Sequence, residues 1–278
     1  MHDTVFIHSG LGNQMFEYAF YLSRKRINPH TTCNMGLLKD RKVHNGFELN
    51  KIFNINIKSA PLQTFLVRAC NYSRIFKTLA RFLDIEIITD KEIAIENKNN
   101  YFVGYWQDEQ FFKDIKEEVK NSFIFNEKLL SKQTIEFLRQ IKSSNSISIH
   151  IRRGDYTLEH FNKIYGGICT VDYYKRAIEH ICSNIKEPIF FCFSEDIEWI
   201  KQNLNIPNAQ YVDCNRGENS WQDMYLMTQC KHNIVANSTF SWWGAWLNNN
   251  PSKIIICPTK FDNTGASANI FPDTWIKI

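Results

Sequence analysis

Apolar positions along this chain fall in short runs, each followed by a stretch with helical spacing. Thr4–His8 predicts a strand, SGLGNQ (9–14) a glycine turn, and the residues from about Met15 to Arg26 a helix. Residues 61–83 contain no glycine and repeat with helical period: Arg74, Lys77 and Arg81 share one face, while Ile75, Leu79 and Phe82 lie toward another. IEII (85–88) predicts a further strand, followed by YFVGYWQ (101–107) and helical stretches at 108–120 and 127–141. The polar stretch KSSNS (142–146) marks the expected domain boundary. It leaves an N-terminal domain over 1–142 and a C-terminal domain over 143–278, with the last residues placed to pack back on the first domain.

Past that boundary the alternation is regular. SISIHI (146–151), IFFCF (189–193), AQYVD (209–213), NIVAN (233–237) and KIIIC (253–257) alternate with helical patterns near 172–184, 195–203, 221–229 and 240–248. Strand–helix alternation at this spacing predicts an α/β fold with a parallel sheet. Such sheets bind ligands outside the carboxyl ends of their strands, so the residues after each run are the candidates for chemistry.

After SISIHI come Arg152, Arg153, Gly154, Asp155 and Tyr156. Two adjacent guanidiniums are costly to hold together unless an anion or carboxylate meets them, and a pyrophosphate suits their forked geometry. Asp155 is a candidate to fix one of them. His150 stands two residues before Arg152, which on a strand is the same face. The plainer alternative is a structural Arg–Asp pair capping the strand, with His150 a satisfied core histidine. After NIVAN, Ser238, Thr239, Phe240 and Ser241 open a helix whose first N–H groups either bind phosphate or are capped by a hydroxyl. Trp242, Trp243 and Trp246 are expected in the core. Ser194, Glu195 and Asp196 follow IFFCF and either suit a helix dipole or hold a ribose or base. GLGN (10–13) is too short for the dinucleotide fingerprint.

A hydrophobic fraction of 44% with 14% aromatics supplies a packed core for 278 residues and excludes a disordered chain. No apolar run approaches the roughly 18 residues of a membrane span, and the start MHDTVFIHSGLG lacks a signal-peptide layout, so a cytoplasmic protein is expected. Eight cysteines form no CxxC pair and read as reduced, buried thiols, Cys192 and Cys257 among them. The sequon at Asn237 falls in the candidate loop, where a glycan would not fit.

The net charge of +4 hides an uneven distribution: residues 1–83 hold 12 Lys/Arg against 4 Asp/Glu, the remainder 21 against 25. The basic helices at 61–83 are either solvated faces or a peripheral contact with an anionic membrane. Without a helix-turn-helix, zinc-finger or RNP-type signature, nucleic acid is disfavoured. There is no GxxxxGKS/T, no DxD and no His/Cys cluster with metal-ligand spacing. The expected phosphate site therefore rests on arginine and helix dipoles, with no metal and no cofactor.

GLGNQMFEYAF (10–20), GFELNKIF (46–53), YFVGYWQDEQFF (101–112), SIHIRRGDY (148–156), FSEDIEWIK (193–201) and ANSTFSWWGAWLN (236–248) occur in that order. Together they resemble the bacterial α-1,2-fucosyltransferases, the family that also includes the animal blood-group H enzymes. The combination of HIRRGDY with NSTFSWWGAW is the specific part. The resemblance implies a GT-B architecture, two Rossmann-like domains facing each other across a cleft, the first on the acceptor side and the second holding GDP-fucose. It implies inverting, metal-independent transfer from GDP-β-L-fucose to the 2-hydroxyl of a galactose-terminated glycan, lipid-linked if the basic helices rest on a membrane.

On the same resemblance Arg152 neutralises the departing pyrophosphate, Asp155 is the acidic member of its motif and Asn13 lies near the sugar. Gly10, Gly12, Gln14, His150, Arg153, Ser194, Glu195, Asp196, Asn237, Ser238, Thr239 and Phe240 fall on the GDP-fucose side. Tyr105, Trp106 and Glu48 are candidates for the acceptor side. The base stays open among Asp155, Glu48, Asp108 and Glu17, or is dispensed with in a loose transition state. The alternatives are a GDP-fucose transferase with another acceptor or linkage, and a non-catalytic relative that binds a GDP-sugar or glycan.

Overall fold

The computed structural model describes residues 2–38, 45–90, 98–267 and 270–278. The chain divides into two units, Met1–Asn126 and Glu127–Ile278. In the first, strands β1 (Thr4–Phe6), β2 (Thr32–Asn34), β3 (Ile85–Ile88) and β4 (Asn99–Phe102) form a parallel sheet in the order β2-β1-β4-β3. Its helices are α1 (Leu11–Ile27), α2 (Leu49–Phe53), α3 (Pro61–Tyr72), α4 (Arg74–Phe82) and α5 (Lys116–Ser122). Val5 and Phe6 are both buried, as a strand covered on both faces requires. Helix α1 begins at Leu11, inside the expected glycine turn, because extended Gly10 serves as its N-cap. Its last turn carries Arg24, Lys25 and Arg26 against the negative end of the dipole. Arg24 is tied to buried Asp3 at 2.7 Å.

The second unit opens with α6 (Lys132–Lys142) and continues through β5 (Asn145–His150), α7 (Glu159–Tyr165), α8 (Val171–Asn184), β6 (Pro188–Phe193), α9 (Ile197–Asn203) and β7 (Ala209–Val212). It ends with α10 (Trp221–Gln229), β8 (His232–Ile234), α11 (Thr239–Trp246), β9 (Ile255–Cys257) and β10 (Ile276–Lys277). Its six strands are parallel in the order β10-β9-β8-β5-β6-β7. Ile147, Ile149, Phe190 and Cys192 from the sheet pack with Tyr173, Ala177 and Ile181 of α8. Trp242, Trp243 and Trp246 lie in the core, as expected.

The units part sixteen residues before the expected 142/143 boundary. Helix α6 is bound into the second unit, where the Ser131 N–H donates to Gln222 Oε1 (2.8 Å) and Thr134 Oγ1 to Asn215 Oδ1 (3.0 Å). Polar composition at 142–146 marks a turn inside that unit. The C-terminal residues pair as β10 with β9 at the edge of the second sheet. All eight cysteines are free; Cys70, Cys192, Cys230 and Cys257 are buried, whereas Cys182 is exposed, against expectation.

Both sheets reverse direction partway. The chain runs from β5 outward to β7 and then crosses to β8 on the other side of β5. In the first unit it runs from β1 to β2 and then crosses to β3 and β4 on the other side of β1. At such a reversal the loops leaving two neighbouring strands diverge and open a crevice at their carboxyl ends.

Candidate active site

At the reversal of the second sheet stand the loops after β5 and β8. The Ile151 N–H donates to Phe193 O at 2.9 Å, so the loops after β5 and β6 start level. Arg152 pairs with Glu195 and stands over the Tyr156 ring at 5.4 Å. Arg153 meets Asp196 at 3.2 Å and lies 4.2 Å from the Trp199 ring centre. Among the described residues, Glu195 and Asp196, the carboxylates meeting the two guanidiniums here, come from the loop after β6. The Asp155 side chain falls outside the described residues. Because β5 ends at His150, strand alternation does not fix the direction of Arg152.

Several expected donor contacts are instead committed to the protein. Asp196 also accepts the Trp199 N–H (3.1 Å) as the N-cap of α9. Ser194 Oγ accepts the Asp196 N–H, and its carbonyl accepts Arg216 Nη1, both at 3.1 Å. Buried Asn237 donates its amide to Tyr165 O and Phe261 O at 3.0 Å, and its carbonyl accepts the Tyr156 hydroxyl. These groups hold the loops in place through hydrogen bonds within the protein, and Asn237, whose amide is bonded to two carbonyls, has no room for a glycan.

The start of α11 is different. Ser238 is its N-cap residue, yet its side chain makes no capping bond, and Ser241 Oγ turns back to accept the Ala236 N–H (2.9 Å). A helix start without a side-chain cap presents its first N–H groups, those of Thr239 and Phe240, with the positive end of the dipole behind them. The Phe240 ring lies 5.9 Å from His150. Burial, with Arg152 alongside, pushes the His150 imidazole down to about 3, so it is neutral in ordinary solution. A cavity of about 200 Å³ is lined by Arg152, Arg153, Tyr156, Tyr165 and Asn237.

At the reversal of the first sheet stand the loops after β1 and β4. His8 Nδ1 meets Glu17 Oε1 at 3.1 Å, and the His8 backbone N–H donates to Glu17 Oε2 at 2.8 Å. Glu17 is fully buried, while 18% of the His8 side chain is exposed. Burial pushes Glu17 well above the carboxylate range and His8 down to about 4, so both full charges are opposed. The Tyr105 ring meets His8 edge to face at 5.0 Å. Asn13 donates to Ser9 Oγ (3.1 Å) and accepts from Gln107 Nε2 (2.8 Å), joining the two loops.

Ser9 and Trp106, which follow His8 and Tyr105, have φ of 67° and 52°, a left-handed conformation costly for residues with side chains. Gln14 Nε2 holds the Ser9 carbonyl and Asp90 Oδ1 holds the Trp106 N–H, each at 2.9 Å. Gly10 and Gly12 lie at the start of α1, where an L side chain is absent from the approach to its first turn.

Three expectations change here. Gln14 is wholly buried and brackets the Ser9 and Gly46 carbonyls and the Glu48 N–H, so it builds the loop and does not reach a donor sugar. Trp106 is 2% exposed and stacked on Phe20 at 4.1 Å, a core residue rather than an acceptor wall. Glu48 is buried and bonded to Asn45. His8 was not among the sequence candidates; its signal was a histidine two residues past a strand, nine residues before a glutamate in an apolar helix. Among the described residues no three His, Cys, Asp or Glu side chains are grouped to hold a metal ion.

The profile of Glycosyl transferase family 11 matches residues 2–278. An alpha-1,2-colitosyltransferase of Escherichia coli is 33% identical over 97% of this chain and 96% of that protein. The O-antigen biosynthesis glycosyltransferase WbnK, also of Escherichia coli, is 32% identical over 97% and 98%. Among solved structures, NodZ alpha-1,6-fucosyltransferase soaked with GDP-fucose superposes with a TM-score of 0.55 at 14% identity, covering 88% of this chain and 92% of that one. The likeness supports a GT-B fold built from two Rossmann-like α/β units.

Proposed function

Since the chain belongs to glycosyl transferase family 11, we propose that it transfers L-fucose, or its 3-deoxy analogue colitose, from the GDP-sugar to the 2-hydroxyl of a galactose-terminated glycan, with inversion and in the cytoplasm. The observation that carries the proposal is the arginine pair and the uncapped start of α11 at the reversal of the second sheet. Colitose enters because a relative spanning the whole chain is named for it.

In the transfer, the bond from sugar C1 to the phosphate oxygen breaks and a bond from the acceptor oxygen to C1 forms. Negative charge gathers on the departing GDP, where Arg152, Arg153 and the N–H groups of Thr239 and Phe240 stabilise it. That positive environment supplies the charge that a divalent metal would otherwise bring, so the proposed reaction runs with EDTA present.

The acceptor proton goes to the His8–Glu17 dyad. In its basic form Glu17 is ionised, with Oε1 3.1 Å from His8 Nδ1, and taking up the acceptor proton leaves the pair neutral overall, the state that burial favours. Burial raises the proton affinity of Glu17 well above the ordinary carboxylate range while it lowers the His8 imidazole to about 4, so the carboxylate is the stronger base of the two. Half-exposed Tyr105 offers its ring to the acceptor sugar beside His8.

The test is an EDTA-containing assay with GDP-fucose and GDP-colitose in parallel, against lactose and N-acetyllactosamine. Acceptor-dependent GDP release with an α-1,2-linked product is expected, and the faster donor identifies the sugar. Tight GDP binding with no transfer from either donor would overturn the proposal in favour of a binding protein.

A further inference from the structure

The connection between β2 and β3 carries a surface that the proposed transfer does not use. Helices α3 and α4 leave seven large apolar side chains in water within 22 residues: Leu62, Phe65, Tyr72, Ile75, Leu79, Phe82 and Leu83. Their exposures run from 47% for Leu79 to 86% for Tyr72. On α3, Leu62, Phe65 and Tyr72 recur at steps of three and seven, opposite buried Thr64, Val67 and Cys70. On α4, Ile75, Leu79 and Phe82 recur at steps of four and three, and the one fully buried residue is Ala80. The two helices touch where the Phe65 and Phe76 rings pack edge to face at 6.1 Å.

A helix that buries a single alanine gains little from the core, and its large side chains forgo the stabilisation that removal from water would bring. Patches of this kind mark contact sites. The charge around this one selects the partner. Between Pro61 and Leu83 there is no Asp or Glu, and exposed Arg74, Lys77 and Arg81 line the face of α4 next to the apolar stripe. Arg81 Nε lies 3.9 Å from Glu86 Oε1, and its side chain is 69% exposed. Among the described residues no helix is long and apolar enough to cross a membrane.

We propose that α3 and α4 form a docking face for an anionic lipid bilayer, with Leu62, Phe65, Ile75, Leu79 and Phe82 entering the interface and Arg74, Lys77 and Arg81 meeting lipid phosphates. Apolar side chains beside a basic stripe on short helices are the arrangement that lies in the plane of a membrane surface rather than across it. A protein surface of acidic character would satisfy the arginines and lysine but would leave the exposed apolar side chains without an apolar partner, whereas a bilayer interface takes both. Bilayer docking goes beyond sugar transfer and holds whichever donor and acceptor the protein uses.

The test is cosedimentation of the whole protein with vesicles of equal parts phosphatidylglycerol and phosphatidylcholine, and with phosphatidylcholine alone. Binding to the anionic vesicles, weakened by salt, is expected. Each basic residue at such a surface is worth about 1 kcal/mol, so Arg74→Glu, Lys77→Glu and Arg81→Glu together weaken binding by roughly 100-fold or more. Ile75→Ser with Phe82→Ser, both at exposed positions, abolishes what remains at high salt. GDP binding serves as the check that the variants are folded. Absence of vesicle binding by the unaltered protein would overturn the proposal. So would dimerisation in sedimentation velocity that Ile75→Ser and Phe82→Ser remove while lipid binding is absent, since the face would then belong to a second copy of the chain.

Discussion

The two sheets reverse their strand order in the same manner, yet the residues at the two reversals differ in kind. The second unit places a pair of guanidiniums there, each partnered by a half-exposed carboxylate and an aromatic ring. The first unit places a single imidazole there, backed by a carboxylate that water does not reach. Surface ion pairs exchange partners at little cost, whereas a buried carboxylate is held to one partner by the lack of any alternative. On the proposed function, one reversal would release its groups to an incoming anion, and the other would hold its groups in one arrangement. Backbone strain follows the same division. Left-handed Ser9 and Trp106 flank the imidazole and its tyrosine neighbour, while no described non-glycine residue between 150 and 156 or between 236 and 241 has positive φ.

Removing a guanidinium breaks the comparison most severely. Arg152→Ala is expected to lower kcat by about 10²–10³, the scale for losing one preorganised donor to developing negative charge. Steady-state kinetics on the folded variant would show it, and a rate near that of the unaltered protein would end the assignment.

Glu17→Gln tests the other reversal and is expected to lower kcat by about 10²-fold, at the low end for general bases. Burial raises the folded-state pKa of Glu17, with the Asp90 charge adding to it; Tyr105 and Cys33 are the other titratable groups near it. Its stabilising effect is thus present below the unfolded carboxylate pKa and is lost as pH rises through the folded one. The neutral glutamine should keep Tm at low pH and gain on the unaltered protein at high pH. The kcat/KM of the unaltered protein should rise with pH along a limb above the carboxylate range, and that limb should vanish in Glu17→Gln. A variant that loses stability but keeps the limb would reduce Glu17 to a structural role.

A smaller effect is expected from Asn237→Ala. It removes two buried hydrogen bonds and strands the Tyr165 and Phe261 carbonyls, costing about 1–3 kcal/mol. Tm should fall by several degrees and KM for the donor should rise with kcat little changed, since the side chain shapes the loop without touching charge.

The regular half of the fold was legible because its strands are long apolar runs. β5, β6 and β7 fall within one or two residues of SISIHI, IFFCF and AQYVD. Three-residue β2 and four-residue β4 carry too few positions for a period, and Thr32–Asn34 looks polar because its neighbour β1, not its own side chains, supplies the apolar cover. At the site, RRGD left open an anion or a structural pairing with carboxylates, and which carboxylates meet the arginines depends on β6 pairing beside β5, a contact 43 residues away. His8 was silent for a related reason. Its chemistry lies in a glutamate that a sequence shows only as one acidic residue in an apolar helix. The exposed stripe of α3 and α4 was visible as period, but its exposure was not, because an amphipathic pattern does not say which face is covered.

The smallest expected effect concerns Glu195, and it sharpens the idea that the arginine pair changes partners. Glu195 pairs with Arg152, with the two side chains 41% and 26% exposed. A GDP phosphate competes for the same guanidinium, so Glu195→Gln removes a competitor and lifts a negative charge from the site. An exposed pair of this kind is worth about 0–1 kcal/mol, which limits the gain in GDP affinity to about fivefold. Calorimetric titration of GDP at low and high salt would measure it, with the gain shrinking at high salt as screening weakens the original pair. Weaker GDP binding in the variant would give the opposite result: Glu195 would then hold Arg152 in the geometry that phosphate needs, and the second reversal would be as fixed as the first.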